Sequence, residues 1–202
     1  MGSYYNGLEK EVRQFQSYKL NSRGKNKVRE IELLASGLKS IIEHPSNGGR
    51  DVIFLCIGSD RYIGDSLGPL IGSMLNERNI PYLVYGTLEE PVHAFNLKET
   101  LKIINRRFKN PLIFSIDASL GTMEQVGYVI FEEGPLIPGK ALETILPEVG
   151  DYHFKGIVNY IDPLPKSQFL NDTRLLTVMT LSKVIVEVIT RIEASDNVAN
   201  GL

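Results

Sequence analysis

The chain has 202 residues, of which 22 are basic and 24 acidic, giving a formal net charge of -2 and a pI near 6.0. That balance provides no electrostatic footprint for nucleic acid or for an anionic membrane, and no apolar run reaches the ~18 to 20 residues that span a bilayer. The N-terminus lacks the apolar centre of a signal peptide, and the single cysteine, Cys56, cannot close an internal disulfide, so the expectation is a soluble, cytoplasmic protein in a reducing compartment.

Residues 1–25 are polar and charged, and are expected to form a solvated N-terminal arm or frayed helix ahead of a single α/β hydrolase-like domain over 26–202. Ile31, Leu34, Leu38, Ile41 and Ile42 recur at helical spacing and predict an amphipathic helix over 28–44. Pro45-Ser46-Asn47-Gly48-Gly49 breaks it. DVIFLCIG, residues 51–58, is nearly all apolar, the pattern of a strand buried on both faces. A glycine-containing loop and a helix to about residue 78 come next, then a short strand over 81–86. Residues 92–109 read as a helix whose buried stripe is Phe95, Leu97, Leu101, Ile104 and Phe108. PLIFSID, 111–117, is another buried strand, and 126–132 and 154–161 complete the set. A long helix follows Asn171 or Asp172 as its cap, with Leu175, Val178, Ile185 and Ile189 among its buried positions. Strands alternating with helices imply a three-layer, phosphorylase/hydrolase-like α/β fold: a mainly parallel (mixed) twisted sheet with helices on both faces. Ligands of such sheets lie outside the carboxyl ends of the strands.

Three readings compete for the loop after the first buried strand, CIGSDRYIGDSLGP. A phosphate loop fails because neither glycine fingerprint fits, the loop has no lysine, and Asp60 and Asp65 would repel the anion. A serine nucleophile at Ser66 would need a tight strand-to-helix turn, whereas six or more residues separate it from the strand end. No Asp-x-x-His follows either, since the last histidine is His153. The third reading makes Asp65 the working residue, although an aspartate at that junction serves equally well as a helix cap. Asp117, at the end of 111–117, completes the third reading. If the two strands are neighbours, both carboxylates face one crevice. At ~4 Å and an effective dielectric near 20 they would repel by about 4 kcal/mol. Such a pair either shares a proton, making one an acid and the other a base, or is held by a cation. The other candidates are Ser59, Asp60, Arg61, Glu90 and His93 for substrate contact. Cys56, inside a buried strand, reads as core.

GSDRYIGDSLGP, GTLEEPVHAFNL, SIDASLG and EVGDYHFKGIVN occur in that order. Together they resemble the YyaC-type sporulation protein family, over about residues 51–192. That family is in turn remotely similar to the spore germination protease and to hydrogenase-maturation endopeptidases, which implies a mixed, mainly parallel α/β sheet. The endopeptidases carry a G-N-x(5)-D-[DE]-G-x-G loop, and setting Gly58 and Gly68 on its outer glycines puts Asp65 at its second acid. Ser59 and Gly64 depart from the pattern. Their later acid follows the third strand in an I-D-A context, matched by Ile116-Asp117-Ala118, and the germination protease depends on aspartates at the same two places. A divalent metal ion held by Asp65, Asp117 and His153 is the cofactor this likeness implies. The resulting expectation is a peptidase-like hydrolase of sporulation acting on a protein or peptide. Its alternatives are a non-catalytic binding module of the same fold and a serine esterase using Ser66. The sequence calls for no nucleic-acid or membrane partner and admits a homo-oligomer.

Overall fold

A computed structural model describes residues 17–138, 146–161 and 172–194. Its centre is a six-stranded sheet in the order β1-β5-β6-β4-β2-β3, built from β1 (Ser17–Asn21), β2 (Val52–Cys56), β3 (Leu83–Tyr85), β4 (Leu112–Gly121), β5 (Tyr128–Glu133) and β6 (Tyr152–Tyr160). Strands β6, β4, β2 and β3 run parallel, while β5 and β1 add an antiparallel edge. The four helices of the described residues are α1 (Lys27–Ile42), α2 (Leu67–Glu77), α3 (Leu97–Arg107) and α4 (Leu175–Ala194).

Strand alternation sorts the core into two clusters. Phe54, Cys56, Phe114 and Ile116 point to the face covered by α1, α2 and α4. Ile53, Leu55 and Ile113 point the other way, against Leu97 and Ile104 of α3. Helices therefore cover both faces, and the parallel pairing of 51–58 with both 81–86 and 111–117 is as expected.

Three expectations need correction. Residues 17–25 are not an arm: Ser17–Asn21 pairs with Tyr128–Glu132 as an edge strand, because the alternating Tyr18 and Leu20 put Leu20 fully inside the core. Residues 1–16 lie outside the described set. Phe95 is not core but 96% exposed, since α3 starts only at Leu97. Asn96 turns its side chain backwards, its Oδ1 accepting the His93 N–H at 2.7 Å and its Nδ2 donating to the Pro91 carbonyl at 2.9 Å, so 91–96 is a clasped turn. Finally, α4 begins at Leu175, which is exposed along with Leu176; Asp172 precedes the helix by three residues, and Asn171 is outside the described set.

Candidate functional site

β2 connects through α2 to β3 on one side, and β3 returns through α3, on the opposite face, to β4 on the other side of β2. The carboxyl end of β2 beside β4 is thus the topological switch point, where open α/β sheets leave a crevice. Asp117 sits at this point without ending its own strand. Cys56 is level with Ile116, the Ile57 N–H donates to the Ile116 carbonyl at 2.7 Å, and Asp117 therefore lies just where β2 stops. β4 runs on to Gly121 only because β6 extends alongside it.

The Gly58–Asp65 loop folds back onto this point. Gly58, at φ 144°, presses its α-carbon so close to the Asp65 carbonyl that any β-carbon would collide with it. The Ser59 N–H donates to the Asp65 carbonyl at 3.0 Å, and the Asp65 N–H donates to the Tyr62 carbonyl at 3.0 Å, closing a single 3-10 turn over Ile63–Asp65. Gly68 lets the first turn of α2 lie against the backbone of Ile57, where a β-carbon would again collide. These glycines are packing devices that hold Asp65 over the end of β2.

Both carboxyls are raised in pKa, and burial is the largest cause for each. Asp65 goes from the ordinary 3.8 to about 6, with a backbone hydrogen bond from Ser59 pulling it down. Asp117 rises well above 3.8 through burial and then through the charge on Asp65, against a backbone hydrogen bond from Ala118. The influence runs in one direction for a physical reason: Asp117 is still neutral while Asp65 titrates, so it has no charge with which to raise its neighbour. Mutual repulsion, expected from the sequence to dominate, is the smaller effect. Asp117 is therefore the member of the pair that holds its proton more firmly. Asp65 is not a cap, because neither the 3-10 turn nor α2 receives a side-chain capping bond.

Ser66 is 7% exposed, with its hydroxyl donating to the Ile63 carbonyl at 2.9 Å. Its backbone is helical, at φ -81° and ψ -2°, rather than a strained elbow. His153 also lies apart from the pair. It stands level with Ser115 at the start of β6, is 5% exposed, and has Nδ1 on the Gly134 carbonyl at 2.8 Å and Nε2 on Glu132 Oε2 at 3.2 Å. Lys155 Nζ joins the same Glu132 oxygen at 2.9 Å. The expected metal set of Asp65, Asp117 and His153 is therefore not assembled, and among the described residues no group of three His, Cys, Asp or Glu side chains is placed to hold a metal ion.

Ser59, Asp60, Arg61, Glu90 and His93 all lie on the two segments that follow β2 and β3. Ser59 is half-buried, its hydroxyl accepting the Arg61 N–H at 3.3 Å, while Asp60, Arg61 and Glu90 are exposed. Glu90 sits in a turn with Thr87, whose hydroxyl accepts the Glu90 N–H at 3.0 Å. His93 follows a residue whose contact helical spacing does not reveal. Val92, expected in a helix, instead bridges to Ile57, and its carbonyl accepts the Gly58 N–H at 2.8 Å. Pro91 carried the signal, since it holds the residue before it extended. His93 Nδ1 accepts the Phe95 N–H at 3.3 Å. An open concavity of about 750 Å³ beyond β4 and β6 is lined by Leu120, Gly121, Thr122, Met123, Gln125, Tyr160 and Ile161 and contains neither aspartate.

Residues 22–188 match the family described as "Protein of unknown function (DUF1256)". The chain is 43% identical over 140 residues to "Uncharacterized protein YyaC" of Bacillus subtilis (strain 168), covering 69% of this chain and 68% of the relative. Among solved structures it is similar to the [NiFe] hydrogenase maturation protease HycI from Thermococcus kodakarensis KOD1, with a TM-score of 0.39 and 16% identity over 76% of this chain and 98% of that one.

Proposed function

The chain belongs to the DUF1256 family, and we propose that it is a peptidase-like hydrolase whose working groups are Asp65 and Asp117. One observation carries this reading: two carboxyls raised by burial stand at the switch point of the sheet, and the charge on Asp65 makes Asp117 hold its proton the more firmly, the difference that a general base and a general acid need. Ionised Asp65 takes a proton from water as its oxygen attacks the substrate carbonyl. Asp117 gives its proton to the departing amine as the C–N bond breaks. Asp65 then carries a proton and Asp117 a charge, and transfer between them restores the starting state. The resemblance to sporulation proteins supports a role in the cytoplasm of the spore-forming cell.

A peptide library tests this without a substrate having been identified. The purified chain and its Asp65→Asn and Asp117→Asn variants are incubated with the library, and new termini are counted by mass spectrometry. Cleavage by the wild type that both variants lose is the expected result. Equal cleavage by all three, or none by any, would overturn the proposal in favour of a binding module that retains the fold.

A further inference from the structure

The β3 side of the crevice carries apolar side chains in water. Phe95 is 96% exposed, and Tyr62, Ile63 and Leu88 are exposed at 47%, 39% and 39%. Scattered singly, such residues need no explanation; here all four stand on the two loops that flank the carboxyl end of β2. Those loops are fixed to each other and to the core. The Gly58 N–H holds the Val92 carbonyl, the Leu88 N–H donates to Ser73 Oγ of α2 at 2.9 Å, and the Asn96 clasp fixes 91–96. Phe95 is positioned further by its edge-on contact with the His93 ring, 5.9 Å between centroids. An exposed aromatic on a backbone held in this way has the form of an anchor, since the loop has little freedom left to lose on binding.

The charges on the same loops indicate what it would anchor. Asp60, Glu89 and Glu90 are exposed there against the single cation Arg61. We propose that Phe95, Tyr62, Ile63 and Leu88, ringed by Asp60, Glu89 and Glu90, form a shelf that seats a substrate segment of apolar residues flanked by lysine or arginine. A second copy of this chain is the wrong occupant, because a two-fold contact through this face would set the same three acids against themselves. The inference deepens the hydrolase reading and rests on it for the cleavage of the seated segment, though not for the seating itself.

Binding is measured apart from turnover, by fluorescence anisotropy on the full chain carrying Asp117→Asn. Three labelled peptides of equal length are compared: Leu/Phe with Lys/Arg, Leu/Phe with Asp/Glu, and Gly/Ser with Lys/Arg. The first should bind at least tenfold tighter than the other two and weaken with added salt. Phe95→Ser should cost about tenfold, and Glu89→Gln with Glu90→Gln should remove most of the salt dependence. Equal affinity for all three peptides, no binding of any, or indifference to both sets of variants would overturn the shelf. So would a dimer by sedimentation that Phe95→Ser dissolves. A chain that binds selectively but never cleaves would sink the hydrolase and spare the shelf; one that cleaves without preference would do the reverse.

Discussion

The two edges of the parallel sheet treat their aspartates in opposite ways. At the amino edge, Asp151 is spoken for: Oδ1 takes Arg50 Nη2 at 2.8 Å and Oδ2 takes the Ile113 N–H at 2.9 Å. Arg50 also donates to the Pro111 carbonyl at 2.7 Å, to the Asn110 carbonyl at 2.9 Å and to Asn47 Oδ1 at 2.9 Å. At the carboxyl edge, Asp65 and Asp117 have burial, a backbone bond each, and no cation among the causes acting on them. The amino edge spends its charges on holding strands and loops together, whereas the carboxyl edge leaves two carboxyls in an environment that resists their ionisation. That cost is expected at a working site and has no use in a purely structural one.

The largest expected effect is on reaction rate. Replacing either Asp65 or Asp117 by Asn should lower turnover by about 10² to 10⁴-fold, the usual contribution of a positioned acid or base, while Asp151→Asn should leave turnover of the folded fraction within a few-fold. Loss of activity in Asp151→Asn with the fold intact would break the comparison between the edges. The pH profile should be bell-shaped, rising through about 6 as Asp65 ionises and falling at higher pH as Asp117 loses its proton.

Stability should separate the two carboxyls. Asp65 has a folded pKa above its ordinary value, so the fold favours its protonated form. Its penalty is absent below about 3.8, grows as pH rises toward 6, and is complete at pH 7. Asp65→Asn should therefore match the wild type near pH 4 and exceed it at pH 7 by up to about 3 kcal/mol, an upper bound because the group is partly open to solvent. Asp117→Asn should gain less than Asp65→Asn at pH 7, because Asp117 holds its proton more firmly. Urea unfolding at the two pH values checks both. A gain in Asp117→Asn with none in Asp65→Asn would reverse the assignment of acid and base.

The sequence made the ladder of the sheet and the two aspartates legible, and the reasons are local. DVIFLCIG and PLIFSID are apolar throughout because both sheet faces are covered, and an acid closing such a run is conspicuous. What could not be read depended on partners distant in sequence. β1 shows only the pair Tyr18 and Leu20 as a period-two signal, and its place is fixed by β5, more than a hundred residues later. Phe95 stands only two positions before Leu97, so a helix would already set it opposite the Leu97, Leu101 and Ile104 stripe, and the backward bonds of Asn96 decide that the helix has not begun. His153 looked available as a ligand because Glu132 and Gly134, its actual partners, are brought to it by sheet pairing.

A smaller effect is expected at the amino edge itself. Arg50→Ala would leave the Pro111 and Asn110 carbonyls and Asp151 Oδ1 without the donor it supplies, while Asp151 Oδ2 keeps the Ile113 N–H. The loss should be about 2 kcal/mol, because the pair is partly exposed and water can replace some of the bonds. Asp151→Asn should cost less than Arg50→Ala, since Asn can still accept from the Ile113 N–H. Thermal unfolding gives both values, and a larger loss in Asp151→Asn would place the weight of the network on the carboxylate instead.

The smallest effect is predicted for the residue that the sequence makes most conspicuous. Ser66 stands between the edges' two roles, within the loop of the reactive pair yet bonded in the way structural residues are. Its hydroxyl is committed to the Ile63 carbonyl, which also accepts the Ser66 N–H at 3.3 Å. Removing the hydroxyl therefore leaves that carbonyl with one donor, and the cost falls toward the low end for a lost hydrogen bond, about 0.5 to 1 kcal/mol. No capping bond to α2 is lost, because none is made. Turnover should stay within about twofold of wild type, since a change of about 1.4 kcal/mol in the barrier would be needed for a tenfold effect and nothing places this hydroxyl toward the crevice. A fluorophosphonate should leave the protein unlabelled. Stoichiometric labelling that disappears in Ser66→Ala, together with loss of turnover, would move the chemistry from the carboxyl pair to the serine.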